Sequence, residues 1–333
     1  MTYRSNTLSC ANGILLALLA ANCQAQADAF SPGLSGTISI NAGWSQHQSQ
    51  SNTHDDNALT SSLNDNGKQI KQAAPFILGR LQYSFGNTLI YLGNSEDQIT
   101  QAQFQAELGV SQKVGKSLIV TGALFGNLPG MDEVWRDPYL TNQERDTTDQ
   151  RVSGGRIALD ISSPFPASLK YAFANSEVDQ DEIGFSQNLS LAQRSQLSRD
   201  SQYHRFGTEL SFPLHPNLIL APALYYTLRD AEGDAHDFQQ LSAQLSVILN
   251  AQQHSFVTTI RNNSAAFDEE NPVFNQKQDQ QSVGIFSVYS YQQLFGWQGA
   301  ALHVMAGYQQ QDSDIDFYDS EDTFLSTGIS YSF

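Results

Sequence analysis

From Leu325 to its last residue the chain alternates without a break. Leu325, Thr327, Ile329, Tyr331 and Phe333 share one face; Ser326, Gly328, Ser330 and Ser332 share the other. A period of two is the mark of an extended strand, because successive side chains point to opposite sides of a sheet. A strand with one apolar face and one face of small polar residues belongs at a boundary. It separates an apolar phase from a polar one.

The same alternation recurs upstream. Leu34, Gly36, Ile38, Ile40, Ala42 and Trp44 share a face, as do Ile77, Gly79, Leu81, Tyr83 and Phe85. Further sets run through Leu108 and Val110, Leu118 to Leu124, Ile157 to Ile161, Leu169 to Phe173 and Phe206 to Phe212. Others run through Leu218 to Leu228, Leu241 to Leu249 and Ala300 to Tyr308. Three apolar segments, 88–93, 255–261 and 282–291, leave their register open. Together with the terminal strand these give fourteen candidates. Tight turns such as Gly86-Asn87, Gly115-Lys116 and His215-Pro216-Asn217 alternate with long polar connections around 45–74, 94–103, 127–151, 176–202, 230–237, 262–281 and 309–323. Short turns on one side and long loops on the other are expected of a transmembrane β-barrel. The first and last connections are both long, so the strand number must be even. The expectation is an all-β, closed, antiparallel up-and-down barrel of fourteen strands with no plug domain.

Charge supports this assignment. Arg80, Glu107, Arg156, Asp160, Lys170, Arg205, Glu209, Arg229 and Arg261 fall within the strands. In the registers set by the apolar residues they take the face opposite the apolar one, Arg261 being set aside because the register of 255–261 is open. An Arg or Lys turned to lipid at mid-depth costs about 2–4 kcal/mol, so these residues are expected to line a lumen. Aromatics gather at both strand ends: Phe85, Phe212, Trp297 and Phe333 on the turn side, and Trp44, Phe104, Phe206, Tyr308 and Phe324 on the loop side. Two girdles fit a membrane wall better than a soluble sandwich. Pro222 interrupts a good strand and predicts a bulge or break, since it cannot donate to a ladder.

The N-terminus reads as an export signal. Arg4 precedes the apolar run Ile14–Ala21, which is too short to span a bilayer, and Ala25-Gln26-Ala27 has the small-x-small cleavage grammar. Cleavage after Ala27 is expected, leaving residues 28–333 as the barrel. Both cysteines, Cys10 and Cys23, would be removed, so no disulfide framework is available to the mature chain.

No constellation of an enzyme is apparent. The histidines are scattered, and no zinc-type spacing occurs. His303 is expected to be a hydrogen-bonded wall residue facing the lumen. Asp312, Asp314 and Asp316 have the opening spacing of a calcium loop, but Phe317 stands where glycine is needed. That loop reads as a solvated acidic loop able to attract divalent cations weakly. No cofactor, no metal site and no catalytic residue are expected. The third long connection is unusually apolar. It contains Leu128, Pro129, Val134, Trp135, Pro138, Tyr139 and Leu140 among Asp132, Glu133 and Asp137. Two fates are open to it: folding into the lumen as a constriction, with Asp132, Glu133, Trp135 and Asp137 near the wall arginines, or packing over the barrel mouth.

The last strand, with Ile329, Tyr331 and the terminal Phe333, resembles the closing strand of bacterial outer-membrane barrels and porins. The segment Phe30-Ser31-Pro32-Gly33-Leu34-Ser35-Gly36-Thr37-Ile38-Ser39-Ile40-Asn41-Ala42-Gly43-Trp44, followed by a Ser/Gln/Asn-rich loop, resembles a family of uncharacterised proteobacterial outer-membrane proteins, domain of unknown function 2860. The resemblance implies the outer membrane of a Gram-negative bacterium, with outer-membrane lipid and the barrel-assembly machinery as partners. It carries no functional residues. An unplugged barrel with charged walls suggests passive diffusion of small polar solutes or ions, and no nucleic acid is expected as a partner. The alternatives are a surface-binding or adhesion barrel with a blocked lumen and, third, an outer-membrane enzyme.

Overall fold

The computed structural model describes residues 30–94, 105–127, 130, 132–163 and 165–333. The expected export signal, Phe104 and Leu128–Pro129 lie outside the described residues. In chain order the strands are β1 (Gly33–Gln48), β2 (Gln69–Ser84), β3 (Thr88–Asn94), β4 (Gln105–Val114), β5 (Leu118–Asn127), β6 (Glu133–Trp135), β7 (Thr147–Ile161) and β8 (Ala167–Val178). They continue as β9 (Ser201–Leu210), β10 (Phe212–His215), β11 (Leu218–Ala231), β12 (Phe238–Ala251), β13 (His254–Phe267), β14 (Gln280–Gln292), β15 (Ala300–Ser313) and β16 (Ser320–Ser332). One short helix, α1 (Leu191–Ser195), sits in a long loop.

Each wall strand pairs antiparallel with the next, and β16 pairs back onto β1, from Thr37↔Ser332 to Gln48↔Glu321. The last residue completes the seam. Gly36 N donates to Phe333 O and Phe333 N donates to Gly36 O, both at 3.0 Å. Two of the named strands add no separate wall position. β6 pairs only with β7, and β9 and β10 are one wall strand interrupted at Ser211. The wall is therefore a closed antiparallel barrel of fourteen strands, and no helical plug occurs among the described residues. Closure leaves no free sheet edge, which an apolar medium requires because it offers no water to unpaired backbone groups.

The interruption faces Pro222. Glu209 is the last β9 residue paired with β11, opposite Ala223, and pairing resumes at Phe212↔Leu220. The ladder breaks where the ring nitrogen has no hydrogen to give.

The outward face carries the large apolar residues. Ile40, Ile77 and Leu124 are 63–69 % exposed, and Leu159, Leu224, Leu245, Ile260, Val283 and Ile329 are exposed on the same side. So wide an apolar surface is not left to water. It reads as the lipid-facing wall of a membrane-spanning barrel. Among the described residues no helix is long and apolar enough to cross a membrane. The three open registers are settled as well. Ile90, Phe256, Ile260, Val283 and Ile285 point out, while Tyr91, Val257, Phe286 and Val288 point in.

One girdle assignment is corrected. Phe324 does not face lipid; it is buried on the inner face, beside Phe76 at 6.2 Å between ring centroids. Leu325 fixes the register, and its immediate neighbour must take the opposite side. The strands also run further into the long connections than hydropathy suggests, for instance to Gln48 and Phe267.

Candidate functional site: the lumen and its cap

The inner face receives the nine charged residues expected there: Arg80, Glu107, Arg156, Asp160, Lys170, Arg205, Glu209, Arg229 and Arg261 alternate with outward neighbours that are mostly apolar. Two clusters share one design. In the first, Tyr91 donates its hydroxyl to Glu107 Oε1 at 2.6 Å. Arg156 holds the same carboxylate with two nitrogens at 2.7 and 2.9 Å, and the Arg80 guanidinium lies 3.8 Å from the Tyr91 ring centroid. In the second, Tyr225 donates to Glu209, Lys170 Nζ stands 2.7 Å from Glu209 Oε1, and Arg205 lies 4.2 Å above the Tyr225 ring. In both clusters the tyrosine ring lies over a glycine on the neighbouring strand, Gly109 and Gly207. A Cβ at Gly207 would stand 2.6 Å from Tyr225 Cδ1, so the ring needs the missing side chain. Glu107 is fully buried and Arg156 nearly so. A buried ion pair holds only with good geometry and further hydrogen bonds, and both are present here.

His303 lies on the inner face between two serines. Its Nδ1 is 2.8 Å from Ser290 Oγ and its Nε2 is 2.6 Å from Ser330 Oγ. Both nitrogens are thus engaged by hydroxyls across three strands, which is how a wall histidine is satisfied. Among the described residues no group of three or more His, Cys, Asp or Glu is placed to hold a metal ion.

The inner face also carries apolar patches, which the alternation of outward residues did not reveal. Phe286 and Val288 (β14), Met305 (β15), Phe324 (β16) and Phe76 and Leu78 (β2) form one buried cluster, with Gly43 of β1 beneath the Phe76 and Phe324 rings. A second cluster unites Phe125, Val152, Ala172, Ala174 and Tyr203 with Phe238. At the short-turn end Phe30 packs against Leu89, Tyr91 and Ala123, with Lys113 Nζ 4.3 Å from its ring centroid.

The long loops close over the opposite mouth. Trp135 is buried and donates its indole N–H to Gln50 O of the first long loop at 2.9 Å. Arg145 stacks on that indole and donates to the carbonyls of Gln50 and Pro138 at 3.3 and 3.1 Å, and to that of Asn57. Burial pulls its guanidinium down to about 10. Arg199 of the fourth long loop clamps Asp181 with two nitrogens and donates to the carbonyls of Trp135 and Arg136. Tyr139 is fully buried among Ile183, Leu197, Ala235, Ile315 and Phe317, residues from three other loops. Its hydroxyl meets that of Tyr318 and accepts from Asn271 Nδ2 at 2.9 Å. Burial pushes the Tyr139 phenol up to about 12, so it stays a neutral donor.

The third long loop therefore takes a place in this cap. Asp137 receives the backbone N–H groups of Tyr139, Gly184 and Ser186, and Asp132 receives Asn127 Nδ2. Trp135 serves the joint to the first loop, and Glu133 is exposed on β6. Arg156, one wall arginine expected to meet these acids, has Glu107 as its carboxylate partner.

A closed wall with lipid outside, charge inside and a loop cap over one mouth defines a transmembrane β-barrel of the outer-membrane type. The chain belongs to the protein family of unknown function DUF2860, whose model matches residues 33–332. No curated protein matches it. Among solved structures it is similar to the CymD monoaromatic hydrocarbon channel, at 10 % identity and a TM-score of 0.48 over 95 % of this chain and 93 % of that one. It is similar to a Pseudomonas aeruginosa FadL homologue, at 11 % identity and 0.48 over 99 % of both. An anion-selective porin from Comamonas acidovorans matches at 10 % and 0.43 over 91 % and 99 %. Likeness this loose says nothing about cargo.

Proposed function

We propose that the protein is a porin-like channel of a Gram-negative outer membrane, passing small polar solutes by diffusion, with its outer mouth governed by the loop cap. The observation that supports this most is the inner face. A wall that only had to sit in a membrane has no need of nine ionisable residues turned inward. Charged rings on a lumen wall are how pores select what passes. The acidic loops then face the outside, where divalent cations and lipid head groups would meet them. The test is conductance of the refolded mature chain in a planar bilayer, with a salt gradient. Steady ohmic steps are expected, more frequent once the cap is loosened. Silence from folded protein whose cap has been loosened would sink the channel reading.

A second reading has its own observation. The cap is a built structure, with residues of six loops in the cluster around Tyr139. A barrel whose purpose is to display ordered loops to a surface ligand would need such packing too. Conductance separates the two.

A further inference from the structure

The residues just before β1 do not continue its line. At Gly33, where β1 begins, φ is 126°, a conformation that a side chain would strain, although a Cβ there would meet only open space. The direction of the backbone, not crowding, is what calls for glycine. From that turn the exposed Pro32 and Ser31 lead back to Phe30, which is only 5 % exposed. Phe30 rests neither on β1 nor on its neighbour β2. It packs on inner-face residues of β3 and β5, namely Leu89, Tyr91, Ala123 and Ile119, and Lys113 of β4 stands at its ring. Three residues reach at most about 11 Å. Two strand spacings, the separation of β1 and β3, are about 10 Å. The segment is therefore nearly taut, a chord drawn across the inside of the wall past β2.

A chord takes up part of the opening it spans. Resting on the channel reading, we infer that residues 30–33 form a strap that narrows the turn-side mouth. The lumen is then constricted at both ends, by the loop cap at one mouth and by this strap at the other. Phe30 is the fastening: its ring is withdrawn from water by the apolar residues beneath it and attracts the Lys113 ammonium. The fastening also meets the charged wall. Tyr91, which Phe30 helps to bury, donates its hydroxyl to Glu107, and Arg156 holds that same carboxylate. Lifting Phe30 thus widens the mouth and bares one side of the tyrosine that positions this ion pair.

The experiment reads the refolded chain 28–333 in two ways, folding being checked by heat-modifiable gel mobility. Ala123→Cys puts a thiol beneath Phe30 in a chain that has no cysteine of its own. A water-soluble maleimide should label that thiol slowly. Labelling should be about tenfold faster when Phe30→Ala is added, because the cover then opens locally. Gly33→Val, which strains the turn and leaves the ring intact, should have the same effect. Without the added thiol, both variants should raise unit conductance by roughly half, since the narrowest section limits flow. Phe30→Leu keeps an apolar fastening and should match the parent on both counts. Labelling as slow in the variants as in the parent would overturn the strap. So would faster labelling at unchanged unit conductance, since the segment would then cover the wall without narrowing the mouth. If labelling quickens as expected but nothing conducts, even with 130–140 deleted, the channel reading falls and the strap stands.

Discussion

Tyr139 and Asn271 are joined by a hydrogen bond of 2.9 Å that crosses the mouth of the barrel. Tyr139 hangs from the loop between β5 and β7, Asn271 from the loop between β13 and β14, and these strand pairs stand nearly opposite each other in the ring. For a barrel of this strand number the span is on the order of 25 Å. One phenol at the centre thus ties down loops rooted on opposite walls.

Tyr139→Phe keeps the ring and removes the hydroxyl. Asn271 and Tyr318 lose a shared partner in a buried setting, at a cost of about 1–3 kcal/mol. Single-channel recording should show more frequent or longer openings at unchanged unit conductance. Deleting 130–140 should go further and raise the conductance itself. If both variants record like the parent, the cap does not govern the mouth.

The cap should loosen in acid. His236 is buried under it, and its Nε2 has no hydrogen-bond partner. Burial, then Arg229 and Arg199, hold its imidazole well below the usual histidine range. In a loosened cap it would take a proton near pH 6.5. Stability from the closed form is therefore complete above that value and is lost as pH falls below it. Asp200, Asp237 and Asp319 are raised by burial and act with the opposite sign, but lower, in the carboxylate range. Hydrogen exchange of 179–200 and 232–237, corrected for intrinsic rates, should accelerate from pH 7.5 to 5.5. In His236→Phe that acceleration should vanish.

Glu107→Ala leaves the Arg156 charge buried without its carboxylate. Losing one partner of a buried pair costs about 3–5 kcal/mol. Urea unfolding in lipid vesicles should show a large fall in midpoint. Glu107→Ala with Arg156→Met should recover much of it, since a buried pair is often replaceable by apolar volume. A double variant as unstable as the single one would show the pair to be indispensable.

Ile260→Arg and Thr259→Arg place the same charge one residue apart, facing lipid and lumen. The first should cost about 2–4 kcal/mol and the second far less. Equal losses would contradict the assigned faces.

The wall was readable in the sequence and the cap was not. Outward residues such as Ile38, Ile40, Leu241 and Leu245 meet lipid, so burial of one kind repeats every second position and the alternation survives. Phe76, Val288 and Met305 broke no such rule, because inner positions accept either polar or apolar side chains; nothing local distinguishes a lumen patch from chance. Beyond the lipid edge the outward residues turn polar, as at Gln46, Gln48 and Ser264, so strands continued where hydropathy fell silent. The cap depends on Trp135, Tyr139, Asn271 and Phe317 meeting across the ring, and spacing along a chain carries no trace of that. Only the apolar surplus of the third loop hinted that it had somewhere to pack.

The seam between β1 and β16 also sets a clock. Thr37 Oγ1 and Ser332 Oγ, 2.9 Å apart, belong to residues separated by 295 positions. Every other neighbouring pair in the wall is a hairpin that can form from a short stretch of chain. Bringing these two ends together costs roughly 4 kcal/mol more than closing a turn, by the logarithm of loop length. The partner that Gly36 requires, Phe333, lies at the far end of the seam in sequence. β1 therefore keeps one edge unsatisfied until β16 arrives, and long-range pairing of this kind is slow. During that interval the nascent sheet needs shelter for its open margin, whatever the finished ring goes on to carry.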